Sequence, residues 1–194
     1  MSTNSIRNPY LPTPMHVLHA YYESNDRSLK TLELSFDDPQ DSAVFFRKFN
    51  PGQFCQLSVF GKGESPIGVA SAAWEGDFVR FTVQKMGAVT KALHKLQPGD
   101  PLGMRGPLGN GFPLEAWKGK NLVIIGGGCA FSTLYALTKH VQHPQNRPDF
   151  GQIVVIYGAR SSGLCMYKHD IQSWYKREDM EVHQAIDIPE EDWT

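Results

Sequence analysis

The hydrophobic pattern of the chain changes character near residue 105. Up to that point the apolar residues form short runs that alternate with polar positions and are separated by glycine, proline and aspartate. This pattern is typical of short antiparallel strands that form a small barrel. The predicted strands are residues 16–22, Leu29–Phe36, 53–60, 67–73, 78–83 and 101–105.

The segments between these strands are predicted to be irregular, with one exception. Residues 37–50 form a polar excursion, and residues 61–66 consist of turn-forming residues. Residues 86–96 place three apolar side chains on one helical face, which predicts a short helix. Residues 106–113 are rich in glycine and proline, so we expect an irregular loop there.

Beyond residue 120 the pattern becomes that of a parallel α/β unit. Residues 122–125 are four consecutive apolar residues, three of them β-branched, and we expect a strand that is buried on both faces. Three glycines follow this strand. The later predicted elements are a helix over residues 132–141, a strand over 153–157, a helix over 168–176 and a strand over Glu181–Ile186. This alternation predicts a parallel sheet with right-handed crossovers.

The change of pattern predicts two domains of different class, a β-barrel and an α/β sheet. We expect residues 1–14 to form an extended N-terminal arm, residues 15–114 an antiparallel barrel, and residues 120–194 a parallel α/β domain. Three strands make a thin sheet, so we also expect the second domain to be incomplete or to be completed by another chain.

Composition and charge mainly exclude function classes. The 194 residues are 41% hydrophobic and 20% charged, and the net charge of −1 offers no basic surface for nucleic acid or an anionic membrane. No apolar run is long enough to span a bilayer, and the polar first residues lack the apolar core of a signal peptide. We therefore expect a cytoplasmic protein without a membrane span.

The metal-binding residue types are scattered along the chain. Cys55, Cys129 and Cys165 are far apart and lack CxxC spacing, so by themselves they cannot hold an iron–sulfur cluster or a structural zinc ion. The seven histidines show no metal-ligand pairing with carboxylates. We expect no metal site and no iron–sulfur cluster in this chain, and small buried roles for the cysteines in a reducing compartment.

The strand, glycine and helix sequence around Gly126, Gly127 and Gly128 has a chemical consequence. A strand that turns through glycines into a helix directs backbone N–H groups and the positive end of a helix dipole to one spot, which suits a phosphate or pyrophosphate. The alternative is a tight strand-to-helix turn with nothing bound.

Several motifs then resemble one protein family in the order in which they occur. They are Asn8-Pro9-Tyr10-Leu11-Pro12, Pro51-Gly52-Gln53-Phe54, Leu57-Ser58-Val59-Phe60-Gly61, residues 106–113 and the three glycines. Together they resemble the ferredoxin–NADP reductase superfamily over residues 10–190. The likeness is to its FAD- and NAD(P)-binding electron-transfer subunits, the type found as hydrogenase or sulfhydrogenase gamma, in anaerobic sulfite reductase and in dihydroorotate dehydrogenase.

The resemblance implies an FAD site built from two segments. One is Ser65, Pro66, Ile67, Gly68 and Val69, in the place of the family's Arg-x-Tyr-Ser motif, and the other is Gly87, Ala88, Val89 and Thr90, in the place of the pyrophosphate-binding segment. Gly68 replaces the serine that would donate to flavin N5. The alternatives are a plain barrel strand with a glycine bulge at Gly68, and a Thr90 that only caps its own helix.

The resemblance implies a dinucleotide site in the second half of the chain. Its residues are Gly126, Gly127, Gly128, Cys129, Arg160 and Asp187. The family's usual Ala-Pro-Leu continuation of the glycine loop is Ser132-Thr133-Leu134 here. Arg160 suits a phosphate, or is a solvated surface charge. Asp187 would repel the 2′-phosphate of NADPH and accept from a free 2′-hydroxyl, so we expect NADH to be preferred.

These assignments predict a flavin-dependent NAD(P)H oxidoreductase, a diaphorase subunit that passes electrons between NADH and iron–sulfur subunits of a hydrogenase- or reductase-type complex through FAD. Its catalytic residues are unknown, since the cofactor performs the chemistry. Two alternatives remain open. One is an assembly subunit that keeps the fold but has weakened flavin or nucleotide binding, and the other is a stand-alone flavin reductase.

Overall fold

Two β-sheets organise the chain in a computed structural model that describes residue 8, residues 10–191 and residue 193. The first sheet is antiparallel, with strand order β4-β3-β6-β1-β2-β5. Its strands are β1 (Thr13–Tyr22), β2 (Leu29–Phe36), β3 (Phe54–Val59), β4 (Gly63–Gly68), β5 (Val79–Gln84) and β6 (Pro101–Leu108). The helices α1 (Pro39–Lys48) and α2 (Ala88–Leu93) lie in its connections.

The antiparallel sheet curves like a barrel but does not close. Beyond β4, Val69 forms a single bridge with Phe81 of β5, and the N–H of Ala70 donates to Arg80 O over 2.8 Å. The inward-facing residues of the curved sheet form one core. This core contains Met15, Leu32, Leu34, Leu57, Val79, Phe81, Leu102 and Met104, each at most 1% exposed. The predicted antiparallel, barrel-like class is thus confirmed.

The second sheet is parallel and contains three strands in the order β7-β8-β9. The elements of this half are α3 (Leu114–Trp117), β7 (Leu122–Gly127), α4 (Phe131–Gln142), β8 (Ile153–Ala159), α5 (Lys168–Trp174) and β9 (Glu181–Ile186). Because successive right-handed crossovers proceed in one direction, α4 and α5 lie on the same face of the sheet. Phe131 and Tyr135 of α4 and Trp174 of α5 pack there against the buried residues of the strands.

The expectation that residues 122–125 are buried on both faces is wrong. Leu122 and Ile124 are 8% and 4% exposed and face the helices, whereas Val123 and Ile125 are 61% and 65% exposed on the opposite face. The physical reason is the topology, because both crossover helices cover the same side. Among the described residues no helix packs on the other side to cover Val123 and Ile125.

Three other expectations about local structure need correction. The segment 37–50 contains the helix α1, which Asp38 caps by accepting from the Gln40 N–H over 2.8 Å. The strand expected at residues 67–73 is β4 at Gly63–Gly68, so the expected turn over 61–66 is largely strand. β6 continues to Leu108, so the loop expected over residues 106–113 begins three residues later.

The position of Pro66 within β4 has a simple explanation. The N–H of Val69 donates to Gln53 O over 3.1 Å, so alternate residues of β4 bond β3 and the residues between them point away from it. Pro66 is one of these outward residues, and β4 is an edge strand, where a missing N–H costs no ladder bond. A segment whose glycine and proline content is typical of a turn can therefore form an edge strand here.

The N-terminal arm expected over residues 1–14 lies mostly outside the residues that the structure describes, because residues 1–7 and 9 are not among them. The first strand, β1, begins at Thr13. Cys55 and Cys165 are buried and Cys129 is half-buried, and all three are free thiols. No helix of the described residues is long and apolar enough to cross a membrane.

We expect the two faces of β7 to respond differently to the same substitution. Ile124→Thr removes buried methyl groups and buries a hydroxyl, so it lowers the free energy of unfolding by about 2 kcal/mol or more. Ile125→Thr is the matched control on the exposed face and changes it by less than about 0.5 kcal/mol. Urea denaturation of both variants measures the difference, and equal losses would contradict the one-sided burial of β7.

Candidate functional site

The candidate flavin site lies along β4, between two helix N-termini. At the start of β4, a Cβ added to Gly63 would lie 3.6 Å from Val89 Cγ2 of α2. At the other end, a Cβ added to Gly68 would overlap Thr133 Oγ1 of α4. Six strand residues span roughly 17 Å between these contacts. One edge strand thus connects the α2 segment to the start of α4.

The N-terminus of α2 has the geometry of an anion site. Gly87 is its extended N-cap residue, is exposed, and a Cβ added there would meet no atom within 4 Å. The backbone N–H groups of Ala88, Val89 and Thr90 bond no acceptor within the described residues. Free N–H groups around an open glycine fit the negative oxygens of a pyrophosphate.

The side chain of Thr90 is engaged within its own helix. Its Oγ1 accepts from the N–H groups of Met86 and Gly87, each over 2.9 Å, and its hydroxyl lies 3.2 Å from Gly87 O. Thr90 therefore orders the first turn of α2. The hydroxyl could donate to an anion only by giving up these bonds. The backbone N–H groups of the first turn are therefore the better candidates for binding an anion.

The five candidate residues around β4 differ in their access to solvent. Val69 is 0% exposed in the barrel core, so its side chain cannot contact a bound ligand. Ser65, Ile67 and Gly68 are half-buried and Pro66 is exposed. By the alternation of the β3–β4 ladder, the N–H and C=O of Gly68 point away from β3. The Gly68 backbone therefore lies on the β5 side of β4, next to the bridge that Val69 forms.

The three glycines after Ile125 have different roles. A Cβ at Gly126 would overlap Leu134 Cδ1 and lie 3.1 Å from Phe131 Cδ2, so this glycine permits close packing of α4. Gly127 still belongs to β7 and pairs with Gly158 of β8. Gly128 has φ +53° and open space around it. The backbone is thus open to a ligand at Gly127 and Gly128 but not at Gly126.

Arg160 and Asp187 lie at the same edge of the parallel sheet as the glycines. Arg160 directly follows β8 and Asp187 directly follows β9, whose last residues, Ala159 and Ile186, are paired. Both side chains are exposed and make no ion pair within the described residues. Carboxyl ends of parallel strands are the usual position of a nucleotide in such sheets.

Cys129 points away from this edge. Its Sγ lies 3.7 Å from Thr82 O of β5, and burial raises the pKa of its thiol. The side chain therefore packs between the two sheets. Among the described residues there is also no group of three or more His, Cys, Asp and Glu side chains arranged to hold a metal ion.

A buried charged cluster between the sheets could not be identified from the sequence. Arg80 of β5 donates through Nε to Glu33 Oε1 over 3.0 Å, and through Nη1 to Tyr135 OH over 3.1 Å. Its Nη1 also lies 3.3 Å from Glu75 Oε1. We call Arg80, Glu33, Glu75 and Tyr135 the Arg80 cluster. The only sequence signal was a charged residue in the alternating strand 78–83.

The Arg80 cluster continues into the α/β half of the chain. The hydroxyl of Tyr135 donates to Asp170 Oδ2 of α5 over 3.0 Å, and burial raises the pKa of Tyr135. Lys139 Nζ lies 3.4 Å from Glu75 Oε1. Groups from β2, β5, α4 and α5 thus share one network, which ties the two sheets together.

Solved structures of similar fold are reductases by name. The chain superposes on a cytochrome P450 reductase from Amycolatopsis with a TM-score of 0.78 at 20% identity, covering 93% of this chain and 54% of that one. It superposes on a ferredoxin–NADP⁺ reductase mutant from Plasmodium falciparum with a TM-score of 0.77 at 15% identity, covering 93% and 72%. The fold is therefore the two-sheet fold of ferredoxin–NADP reductases.

Relatives in sequence agree with this class. The chain is 36% identical over 182 residues to the sulfhydrogenase 1 gamma subunit of Pyrococcus furiosus, which covers 92% of this chain and 60% of that protein. It is 38% identical over 135 residues to a probable dihydroorotate dehydrogenase B (NAD(+)) electron transfer subunit of Thermococcus kodakarensis, covering 68% and 52%. No protein-family model matches the chain.

Fold and relatives together confirm the resemblance to the ferredoxin–NADP reductase superfamily that the sequence motifs predicted. The chain spans between half and two thirds of the length of these two relatives.

We expect the Arg80 cluster to contribute strongly to stability. Arg80→Ala removes the guanidinium that Glu33 and Glu75 share, and losing one partner of a buried ion pair costs about 3 kcal/mol or more. Arg105→Ala is the control, because Arg105 and Glu64 form a 2.6 Å pair at the surface, where solvent screens the charges and the loss of the pair changes stability much less. Urea denaturation measures both variants. A loss no larger for Arg80→Ala than for Arg105→Ala would refute this role.

Proposed function

We propose that the chain is a flavin-dependent NAD(P)H oxidoreductase subunit that binds FAD along β4 and NADH at the carboxyl edge of β7, β8 and β9. Electrons then pass between NADH and a partner subunit. The observation that carries the proposal is the contact of Gly68 with α4, because it puts the end of β4 directly beside the helix that follows the glycine loop. Two sites for phosphate-bearing cofactors on adjoining elements suit hydride transfer between a nicotinamide and a flavin.

Each half of the chain supplies its own contacts in this proposal. Residues 15–114 form the flavin half, in which the free N–H groups at Ala88, Val89 and Thr90 hold the diphosphate and the end of β4 around Gly68 lies beside the ring. Residues 120–194 form the nucleotide half, in which Gly127 and Gly128 admit the nucleotide backbone and Arg160 pairs with a phosphate. When bound, the flavin supplies the chemistry that exchanges a hydride for single electrons.

The proposed electron partner is an iron–sulfur subunit of a larger redox complex. The two relatives are named as a gamma subunit and an electron transfer subunit. Three free cysteines of this chain, without CxxC spacing, give no ligand set for a cluster of its own. A cluster outside these 194 residues is therefore the proposed acceptor of single electrons.

A non-catalytic assembly subunit is the second candidate, and a specific observation favours it. Thr90 is bonded within α2 and Thr133 fills the space beside Gly68, so two places where cofactor contacts are expected already hold the protein's own hydroxyl groups. Flavin uptake separates the two candidates, since an assembly subunit would not take up FAD.

We expect the purified chain to bind FAD and the N-terminus of α2 to hold its diphosphate. Ala88→Asp adds a negative charge to the first turn, which the helix tolerates but the diphosphate does not, so FAD affinity falls about tenfold or more. Ala88→Asn is the neutral control of the same shape and retains affinity. Fluorescence titration with FAD measures all three proteins. A wild-type chain that takes up no FAD would refute the flavin assignment.

We also expect the nucleotide half to bind NADH more tightly than NADPH. Asp187 would repel the 2′-phosphate, so Asp187→Asn raises NADPH affinity relative to NADH by about tenfold. Glu181→Gln removes a charge at the opposite end of β9 and serves as the control that leaves the ratio unchanged. Isothermal titration calorimetry with both nucleotides provides the ratio. Tighter binding of NADPH by the wild type would contradict the proposed role of Asp187.

A further inference from the structure

Two departures from the family pattern lie in contact in the folded chain. Gly68 stands where the family has serine, and Thr133 stands where the glycine loop usually continues with proline. A Cβ on Gly68 would overlap Thr133 Oγ1 and would lie 3.6 Å from Thr133 Cβ. The threonine hydroxyl therefore occupies the space that a side chain of residue 68 would fill.

The hydroxyl of Thr133 is free to bind a ligand. It makes no hydrogen bond with any residue that the structure describes, whereas Thr138 of the same helix donates to Leu134 O over 2.9 Å. Thr133 is half-buried, so its hydroxyl is not sealed in the core. A helical threonine commonly bonds the carbonyl one turn back, and Thr133 leaves that option unused.

The position of the Thr133 hydroxyl relative to β4 and α2 suggests the ligand that it would bind. It lies beside Gly68 at the end of β4, about one strand length from the free N–H groups of α2. A flavin whose diphosphate lies at α2 would bring its ring system to this end. The ring carries nitrogen and oxygen acceptors along its edge, and they require donors when removed from water.

We propose that Thr133 of α4 donates to the edge of the flavin ring in place of the missing side chain of residue 68. The donor is thereby moved from the barrel strand to the helix of the nucleotide half. This inference rests on the proposed flavin function and adds one binding residue to it. It also couples the flavin to the position of α4, which carries the glycine loop at its start.

The contact itself is tested without cofactor. Gly68→Ser inserts a Cβ where Thr133 Oγ1 lies, so it lowers the urea midpoint of unfolding. Thr133→Ala removes the obstructing hydroxyl and leaves an ordinary contact between the two Cβ atoms. The double variant is therefore expected to recover most of the loss, which is non-additive behaviour typical of residues in contact. Additive losses in the double variant would overturn the placement of the hydroxyl beside Gly68.

The role toward flavin is tested by binding and by the midpoint potential of the bound FAD. Thr133→Val keeps the shape but removes the donor, so FAD binds about three- to tenfold more weakly and its midpoint potential shifts. Thr133→Ser retains a hydroxyl and both wild-type values. Gly68→Ser with Thr133→Ala restores a hydroxyl from the barrel side and returns both values toward wild type.

The outcomes separate this inference from the proposed function. If the wild type binds FAD and Thr133→Val matches it in affinity and potential, the role of Thr133 is refuted while the flavin function stands. If the wild type binds no FAD, both are refuted.

Discussion

The structure depends on how α4 is held between the two sheets. Arg80 extends from β5 into a site where its side chain is 12% exposed, and it is neutralised there by Glu33 and Glu75. A buried guanidinium is tolerated only when its donors are used, and Tyr135 of α4 takes one of them. The hydrogen bonds that neutralise this one guanidinium therefore determine how the two sheets lie relative to each other. An apolar contact alone would let the sheets slide past each other, whereas these directional hydrogen bonds hold them in one position.

A second polar network reinforces the same junction. Thr82 Oγ1 lies 2.6 Å from Tyr167 OH and 2.7 Å from Thr31 Oγ1, and the N–H of Tyr167 donates to Glu23 Oε2 over 2.9 Å. The rings of Tyr135 and Tyr167 stack with centroids 3.9 Å apart. The two networks meet at this stack, so the loop before α5 and the body of α4 are oriented against β2 and β5 together. Cofactors on opposite sides of such a junction would keep a fixed separation.

Most of the strands and the glycine loop could be predicted from the sequence, but the polar contacts that join the two sheets could not. β2 was predicted to the residue, because its alternating pattern reflects one buried face. α1 was missed because Phe45 is its only fully buried residue, and β4 was displaced because an edge strand tolerates glycine and proline. The exposure of Ile125 depends on which side the crossover helices take, and no local pattern encodes that. The Arg80 cluster joins residues far apart in the chain, so its members resembled ordinary surface charges.

Two glycines determine where α4 can lie, and they act from opposite sides. Gly126 lets Leu134 and Phe131 approach β7, because any side chain there would overlap Leu134 Cδ1. Gly68 lets Thr133 approach β4 in the same way. Because the first turns of α4 pack against a glycine on each side, a side chain at either position would require Thr133 or Leu134 to change conformation. Residues 68 and 133, where the chain departs from the motifs that it resembles, are therefore neighbours in the packing of α4 against the antiparallel sheet.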